Sequence, residues 1–488
     1  MLKQGIIVFS IIAGTISAET TNNSGYWPCY HGPLRNNISA EKGLLASWPK
    51  DGPKLLWTAS GLGHGYSSVA VAGGRIFSAG MSGKDTFVIA LDPNGKVLWR
   101  RKNGESWQAS EDQSWAVSYA GSRGTPTIDG DSVYHLSELG RLTAFDAASG
   151  KELWHRDSIS EFKAPKPKYG YCESVLVLGN RVFFCPGGTE GYVVALDKKS
   201  GKTIWSNKSF DDPIGYSALV PAAIGDIGQL IGLSAKRIFA VDPGNGKLLW
   251  QYAFGNERNN SATDVIVHDD QVYASSGYGK GSVLLQPVRQ ADGIWTVKSV
   301  WTSELLDNHH GGVILVDGYV YGAGQEAKGW TCLNITDGQK LWQSPGKGSL
   351  TYADGRLYCL DETGRMTLVE PAKEGWKKIS EFSVPRGGQG AYWAHPVVCG
   401  GRLYIRHSDT LYAYAIKLVE ESAGNVKTSD DVPLESEKPS EPDKQDTSLR
   451  GHGKLFEAIS SFTAQLADGF NWHDLDTMIV VSLRVRVL

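Results

Sequence analysis

The sequence has no excess of basic residues and few cysteines. Its 49 Lys and Arg residues face 52 Asp and Glu residues, so the net charge is −3. Nucleic-acid binding is not expected, because neutralising phosphates requires a basic surface. The six cysteines form neither a C-x-x-C arrangement nor an adjacent pair, which argues against thiol-redox and zinc sites. Global disorder is excluded, since 41% of the residues are hydrophobic.

The first residues have the pattern of an export signal. Lys3 supplies a positive charge, residues 6–12 form an apolar core, and Ile16-Ser17-Ala18 has the pattern of a cleavage site. The core is too short to span a bilayer, so no membrane span is expected. No lipid-acceptor cysteine follows, because the first cysteine is Cys29. We therefore expect residues 1–18 to be a signal peptide, and the mature protein to be soluble, periplasmic or extracellular, and not a lipoprotein.

Cysteine pairing is left open by the sequence. In an oxidising compartment, Cys172 and Cys185 are the best candidates for a disulfide, because they flank one predicted hairpin. Buried free thiols fit the sequence equally well.

The composition changes beyond Lys417. Residues 417–450 are rich in acidic side chains and contain three prolines, which is typical of a disordered linker. Residues 451–488 form a C-terminal tail whose apolar stretches are too short for a transmembrane helix. The role of this tail is unknown.

A repeated segment fills the region between these ends. Four copies have an apolar strand that ends in Asp, a tight turn with Gly-Lys, and a second strand that ends in Trp, and a fifth has Asn334 and Gly338-Gln339-Lys340 at the corresponding positions. Glycine supplies the positive φ that the turn needs, and Asp can accept hydrogen bonds from the turn amides. Each copy therefore predicts a β-hairpin. The copies are Ile89–Trp99, Thr143–Trp154, Val194–Trp205, Phe239–Trp250 and the weaker Cys332–Trp342.

The spacing of the copies predicts four strands per unit. The anchoring tryptophans recur about every 40 to 55 residues, which does not suit a helical solenoid. A second series of hairpins, such as Val177–Phe183, brings the count to eight units. We therefore predict an all-β, eight-bladed β-propeller with four-stranded antiparallel blades, closed by the N-terminal strand at Trp57. Seven blades are the alternative, because the units near residues 295 and 376 are degenerate.

The repeat Ala-Leu-Asp…Gly-Lys…Trp resembles the pyrroloquinoline-quinone (PQQ) repeat over residues 26–416. Further stretches are similar to a bacterial secreted family of PQQ-like propellers, including Trp27-Pro28, Asn308–Gly312 and Trp393–Pro396. The resemblance implies a propeller braced by tryptophan-docking hairpins. It allows two functions, because PQQ-dependent alcohol dehydrogenases share this ring with an outer-membrane assembly lipoprotein that binds partner proteins without a cofactor. Fold alone therefore does not determine function.

A PQQ dehydrogenase would need a flat slot for the quinone, a Ca²⁺ ion on oxygen ligands and a carboxylate base. If the protein is an enzyme, we expect Glu173 or Asp264 to be the catalytic base. If PQQ binds, we expect Arg123, Trp393 and His395 at the cofactor. The family's adjacent cysteine pair is missing and no calcium ligands can be matched, so any metal ligands are unknown. Each of these residues also has a structural interpretation, as a channel-lining or blade-packing side chain.

A binding role needs no cofactor. The loop at residues 104–121 carries Trp107 and Trp115, and insertions on one propeller face often bind ligands. His309 and His310 are further candidate ligand-binding residues. A structural role in capping or lining the channel is the alternative, and metal ligation by the pair is less expected because adjacent residues of a strand point to opposite sides. We favour an exported, non-catalytic binding or scaffold module for a protein or polymer ligand on one face. The alternative is a PQQ- and Ca²⁺-dependent dehydrogenase that oxidises an alcohol or sugar. The oligomeric state is unknown.

Overall fold

The computed structural model describes residues 25–109 and 119–417, and nearly all regular structure within them is β-strand. The strands form eight sheets, and the short helix α1 (Ser158–Phe162) follows the second of them. The predicted eight-bladed propeller is confirmed, and the seven-bladed alternative is wrong. The predicted signal peptide, the linker beyond Lys417, the C-terminal tail and Trp115 lie outside the described residues.

Successive strands of each blade pair antiparallel in chain order. Two short strands come before the first blade: β1 (Ile38–Ser39) and β2 (Leu55–Ala59). Blade 1 contains β3 (Ala70–Ala72), β4 (Arg75–Ser82), β5 (Asp85–Leu91) and β6 (Val97–Glu105). Blade 2 contains β7 (Thr127–Asp129), β8 (Ser132–Leu136), β9 (Arg141–Asp146) and β10 (Glu152–Asp157). Blade 3 contains β11 (Leu176–Leu178), β12 (Arg181–Phe184), β13 (Val193–Asp197) and β14 (Thr203–Asn207). Blade 4 contains β15 (Val220–Ile224), β16 (Ile227–Leu233), β17 (Arg237–Val241) and β18 (Leu248–Ala253).

The second half of the ring repeats this plan. Blade 5 contains β19 (Ile266–His268), β20 (Gln271–Ser276), β21 (Gly281–Arg289) and β22 (Trp295–Ser303). Blade 6 contains β23 (Asn308–Val316), β24 (Tyr319–Gly324), β25 (Gly329–Asn334) and β26 (Lys340–Ser344). Blade 7 contains β27 (Gly348–Ala353), β28 (Arg356–Asp361), β29 (Arg365–Glu370) and β30 (Lys377–Ser383). Blade 8 contains β31 (Val397–Cys399), β32 (Arg402–His407) and β33 (Thr410–Ala415), and β2 is its fourth strand.

The ring closes without a covalent link. β2 pairs antiparallel with β33, and Trp57 lies opposite Ala413. Buried side chains of blades 8 and 1 share one core cluster, in which Leu411 packs with Val71 and its neighbours. The N-terminal strand therefore completes the last blade, as predicted.

The tryptophan of one repeat packs on the glycine turn of the next blade. The indole nitrogen of Trp99 in blade 1 donates to the carbonyl oxygen of Ala147 in blade 2, at 3.0 Å. Gly150, in the same turn, has φ +70°, and a Cβ there would lie 2.7 Å from the Trp99 ring. The turn thus needs glycine both for its backbone conformation and for the space that the indole occupies. The same indole contact to the next blade recurs at Trp57, Trp154, Trp205, Trp301 and Trp342.

Residues 27–39, named here the central segment, cross the middle of the ring. Trp27 exchanges two backbone hydrogen bonds of 2.7 Å with Val71 of blade 1. The Arg35 guanidinium donates to the carbonyl oxygens of Ser174 and Val175, beside blade 3, at 2.9 and 2.6 Å. At the other end, β1 pairs parallel with β27 of blade 7. Because blades 3 and 7 face each other across the ring, the central segment bridges the channel.

The central segment is strained and polar. His31, Arg35 and Asn37 have φ values of 65°, 52° and 60°, a region that residues other than glycine rarely adopt. All three side chains are buried. Such conformations persist only where the surrounding structure holds them, and they cluster at functional sites.

All six cysteines are free thiols, so the candidate pair Cys172–Cys185 is not bonded. Within the described residues, no helix is long and apolar enough to cross a membrane.

Candidate functional site

A cavity of about 370 Å³ lies at the centre of the ring. This volume falls within the range of about 300 to 1,000 Å³ that is typical of small-ligand sites. Most of its lining comes from loops that lead into the innermost strands, such as Arg123 before β7, Tyr216 before β15 and Trp393 before β31. The lining residues are Tyr30, Tyr66, Trp107, Tyr119, Arg123, Tyr169, Cys172, Tyr216, Asn260, Ala262, Tyr278, His309, His310, Gln325, Lys347, Trp393 and His395.

The structure gathers many of the residues that the sequence analysis selected. Neither candidate base, Glu173 or Asp264, lines this cavity. Trp115 lies outside the described residues. The selected residues that do line it are Trp107, Arg123, His309, His310, Trp393 and His395.

Arg123 supplies positive charge to one wall of the cavity. Its Nε donates to the carbonyl oxygen of Tyr169 at 2.9 Å, and its two terminal nitrogens donate to that of Tyr119 at 2.9 and 2.7 Å. The guanidinium also lies 5.0 Å from the centroid of the Trp107 ring. A guanidinium has five N–H donors, so these three bonds leave two N–H groups. No carboxylate of the described chain pairs with this charge.

Trp393 has less open surface than a cofactor floor requires. Its ring stacks on that of Tyr119, with centroids 5.1 Å apart and planes only 4° apart. The Tyr66 ring lies 5.0 Å away at a tilt of 40°. The indole nitrogen donates to Oε1 of Glu362 at 2.8 Å. Tyr119 therefore covers one face that a flat ligand would use.

His309 and His310 both reach the cavity. The pairing register of β23 jumps between Asn308 and Val313, and this irregularity removes the strict alternation of a regular strand. The expectation that the two side chains point to opposite sides is therefore wrong. Their Nδ1 atoms lie 3.0 Å apart. Burial lowers the pKa of His309 to about 4 and that of His310 well below its ordinary value. Both rings are neutral near pH 7 and can each donate and accept one hydrogen bond.

The cavity floor is a chain of polar groups. The Tyr30 hydroxyl lies 2.8 Å from Nε2 of His395, and Nδ1 of His395 lies 3.2 Å from Nε2 of His31. Nδ1 of His31 lies 3.0 Å from Oδ2 of Asp264. His31 and His395 therefore lie between Asp264 and the Tyr30 hydroxyl in this series of contacts.

The backbone carbonyl of His310 determines which nitrogen of the His395 ring carries hydrogen. The carbonyl oxygen of His310 lies 2.8 Å from Nε2 of His395. A carbonyl only accepts, so Nε2 of His395 carries hydrogen, and its Nδ1 accepts from Nε2 of His31. Burial lowers the pKa of His395 to about 3, so this ring stays neutral.

Glu173 lies apart from the central cavity. Its side chain is 5% exposed, and its Oε2 accepts from the backbone N–H of Cys185 at 2.8 Å. Its Oε1 is buried without a hydrogen-bond partner. Burial raises the pKa of Glu173 to about 8. This carboxyl is therefore protonated near pH 7, which is the wrong state for a base.

The described lining does not fit calcium-assisted quinone chemistry. Ca²⁺ takes six to eight oxygen ligands, usually with several carboxylates among them. The lining residues in the described part of the chain include neither Asp nor Glu. No three His, Cys, Asp or Glu side chains of the described residues are grouped so as to hold a metal ion. Arg123 and the aromatic rings could contact a planar anion, but the described lining residues do not supply the oxygen ligands that the ion needs.

Sequence reasoning missed the floor and part of the wall. Tyr30 and His31 precede the first repeat, so the repeat pattern gives no sign that they reach the channel. Gln325 and Lys347 follow the ends of strands in blade 6 and resemble ordinary turn residues in the sequence. Only the path of the central segment across the ring would have indicated Tyr30 and His31.

Fold and site together define a class, the eight-bladed propellers built from PQQ-like repeats. A family model described as outer membrane protein assembly factor BamB matches residues 84–344, more than half of the chain. The chain belongs to this family.

The individual relatives include both quinoprotein dehydrogenases and outer membrane assembly factors. The quinoprotein alcohol dehydrogenase PedH of Pseudomonas putida is 34% identical over 152 residues, which are 28% of this chain and 24% of that protein. The assembly factor BamB of Moranella endobia is 25% identical over 267 residues, 51% of this chain and 64% of that one. The chain thus spans about a quarter of the dehydrogenase and under two thirds of the assembly factor.

Solved structures show the same fold. The quinohemoprotein alcohol dehydrogenase of Comamonas testosteroni has a TM-score of 0.56 at 15% identity, covering 89% of this chain and 85% of its own. BamB of Moraxella catarrhalis has a TM-score of 0.52 at 17% identity, covering 74% of this chain and 99% of its own. At these identities the likeness establishes architecture and leaves the activity open.

Proposed function

We propose that this protein is a non-catalytic binding module, whose central cavity and surrounding face hold a protein or polymer ligand. One observation carries the proposal. The described lining combines eight aromatic side chains and several neutral hydrogen-bonding groups with no carboxylate. Such a lining can bind and orient a ligand, but its described residues offer neither a carboxylate base nor the carboxylate oxygens that Ca²⁺ usually takes.

The two candidate bases support the same conclusion. Glu173 is buried and protonated outside the cavity, and Asp264 is separated from it by His31 and His395. A general base must lie within hydrogen-bond reach of the proton that it abstracts, directly or through one water. The dehydrogenase alternative remains the second candidate because of the 34% identity with PedH.

Reconstitution with PQQ and Ca²⁺ tests the choice between these functions. The full chain is incubated with both, and alcohol-dependent and sugar-dependent dye reduction is followed, with binding measured by calorimetry. We expect no turnover in the wild type. Saturable PQQ binding with turnover that is lost in Glu173→Gln or Asp264→Asn would instead establish the dehydrogenase.

Affinity electrophoresis provides the positive arm. The protein is run through gels that contain candidate polymers, and the retained polymer is compared across variants. We expect Trp107→Ala to reduce retention, because Trp107 lines the cavity and lies against Arg123. Trp295→Ala, in the outer strand of blade 5, is the matched control and should leave retention unchanged. Equal retention of both variants would contradict a ligand face at the cavity mouth.

We also infer export to the periplasm or beyond the cell, because residues 1–18 have the signal pattern. The relative named as an outer membrane assembly factor agrees with such a location. Expression in a bacterial host with N-terminal sequencing of the mature chain tests this. Cleavage after Ala18 is expected, and an intact N-terminus on cytoplasmic protein would contradict it.

A further inference from the structure

The wall opposite Arg123 offers neutral hydrogen-bonding groups. The Tyr278 hydroxyl and the Asn260 amide both lie 3.2 Å from Nε2 of His309, and all three residues line the cavity. Gln325 lies beside them, and its Oε1 is buried without a hydrogen-bond partner. A buried acceptor without a donor costs free energy that a ligand hydroxyl could recover. This wall therefore suits a ligand that carries several hydroxyl groups.

Within residues 25–109 and 119–417, no carboxylate forms an ion pair with Arg123, one of the two cations of the lining. The second cation of the lining, Lys347, has Nζ 3.1 Å from Oε1 of Glu362, so its charge is balanced. In the described part of the chain, three of the five N–H groups of the Arg123 side chain donate to backbone carbonyls and two have no acceptor. Charge-assisted hydrogen bonds from guanidinium to carboxylate are the strong ones. One side of the ligand should therefore be anionic.

Aromatic rings make up much of the remaining surface. Tyr66, Tyr169, Tyr216 and Trp107 lie on the Arg123 side. Aromatic faces pack against flat apolar surfaces. A pyranose ring presents such a C–H face, with hydroxyl groups around its edge. The volume of about 370 Å³ suits a ligand of one or two such rings.

We propose that the central cavity binds a sugar ring that bears a carboxylate, as at the end of an acidic polysaccharide. This inference rests on the proposed function and narrows its polymer ligand to a uronic-acid type. The carboxylate contacts Arg123, the hydroxyl groups meet Gln325, Asn260 and Tyr278, and the ring face packs on the aromatic wall. A peptide end with a free carboxylate would use Arg123 but leave the neutral groups unpaired.

Calorimetry on the full chain with three probes tests this. Trigalacturonate is the acidic sugar, maltotriose the neutral sugar, and acetyl-Ala-Ala-Phe a carboxylate on a peptide. We expect trigalacturonate to bind at least tenfold more tightly than either of the others. Arg123→Gln should weaken trigalacturonate binding at least tenfold while changing maltotriose binding little. Gln325→Ala should weaken both sugars several-fold, and Lys298→Gln, on the exposed strand β22, is the matched control for charge.

Each outcome decides a different question. The acidic-sugar assignment is overturned if trigalacturonate does not bind or if the peptide binds with equal affinity. It is also overturned if Arg123→Gln binds trigalacturonate as tightly as the wild type does. Gln325→Ala keeps the test informative if the arginine variant does not fold. Retention of some other polymer in affinity gels, without trigalacturonate binding, rejects this inference alone. Alcohol-dependent dye reduction with PQQ rejects the proposed function itself.

Discussion

The buried Glu173 should make the protein less stable as the pH rises. Its carboxyl is 5% exposed, and burial raises its pKa to about 8 from an ordinary value of 4.5. Between these values the folded state holds the proton and the unfolded state releases it. The unfolded state then binds fewer protons, so the free energy of unfolding falls as the pH rises. Replacing Glu173 with Gln keeps an acceptor for the Cys185 N–H and removes the titration.

The size of the effect follows from the two pKa values. Between the two pKa values, the free energy of unfolding falls by about 1.4 kcal/mol per pH unit, which is the value for one proton. From pH 5.5 to 7.5 the wild type should therefore lose about 2.5 kcal/mol relative to Glu173→Gln. Any constant cost of the Gln amide appears at both pH values and cancels in this difference.

Urea denaturation at pH 5.5 and 7.5 measures the difference. Glu304→Gln is the control, because Glu304 is an exposed carboxylate outside the cavity. We expect wild type and Glu304→Gln to share one pH profile, and Glu173→Gln to gain stability relative to both at pH 7.5. Parallel profiles for all three proteins would refute the argument, because Glu173 would then be ionised in the folded state or would titrate as in the unfolded chain.

Three further perturbations have expected outcomes. Gly150→Ala should destabilise the protein by about 2 kcal/mol more than Gly130→Ala in thermal or urea unfolding. Both glycines have positive φ, but only at Gly150 does the Trp99 ring occupy the place of a Cβ. Equal losses would contradict the packing of Trp99 on Gly150 as a source of stability. Arg406→Met should lower the free energy of unfolding by at least about 3 kcal/mol. This buried side chain donates to backbone carbonyls at blades 8 and 1, and these carbonyls would lose their partner. A loss under about 1 kcal/mol in urea unfolding would contradict that role. His309→Gln should make the free energy of unfolding less dependent on pH between pH 6.5 and 4. The His309 pKa of about 4 makes the wild type less stable as the pH falls through that window, because the unfolded state then binds more protons. The same pH dependence in urea unfolding for both proteins would contradict the lowered pKa of His309.

The fold could be predicted from the sequence because its rules are local and repeated. Six blades have a tryptophan that docks on the next blade, and contacts such as Trp99 on Gly150 recur at a regular spacing in the sequence. This repetition makes the eight-unit plan recognisable even where single units are degenerate. Closure at Trp57 followed from counting strands.

The site could be predicted only in part, because its geometry depends on exceptions to local rules. The alternation of side chains along a strand fails at the irregularity in β23, which brings His309 and His310 to one side. Acidic residues near the channel suggested bases, yet the sequence contains nothing that separates Asp264, behind two imidazoles, from a carboxylate that faces the cavity. The central segment lies outside the repeat, so its crossing left no periodic signal.

The pairing of β2 with β33 has a consequence for the order of synthesis. The strand Leu55–Ala59 has no strand partner until Thr410–Ala415 have been made. Bringing Trp57 to Ala413 closes a loop that spans nearly the whole ring, at an entropic cost of about 5 kcal/mol. Early blades can form as they emerge, but the central segment also waits for blade 7. Cooperative stability should therefore appear only when the last blade is complete, and a chain that ends before β33 leaves both ends of the ring open.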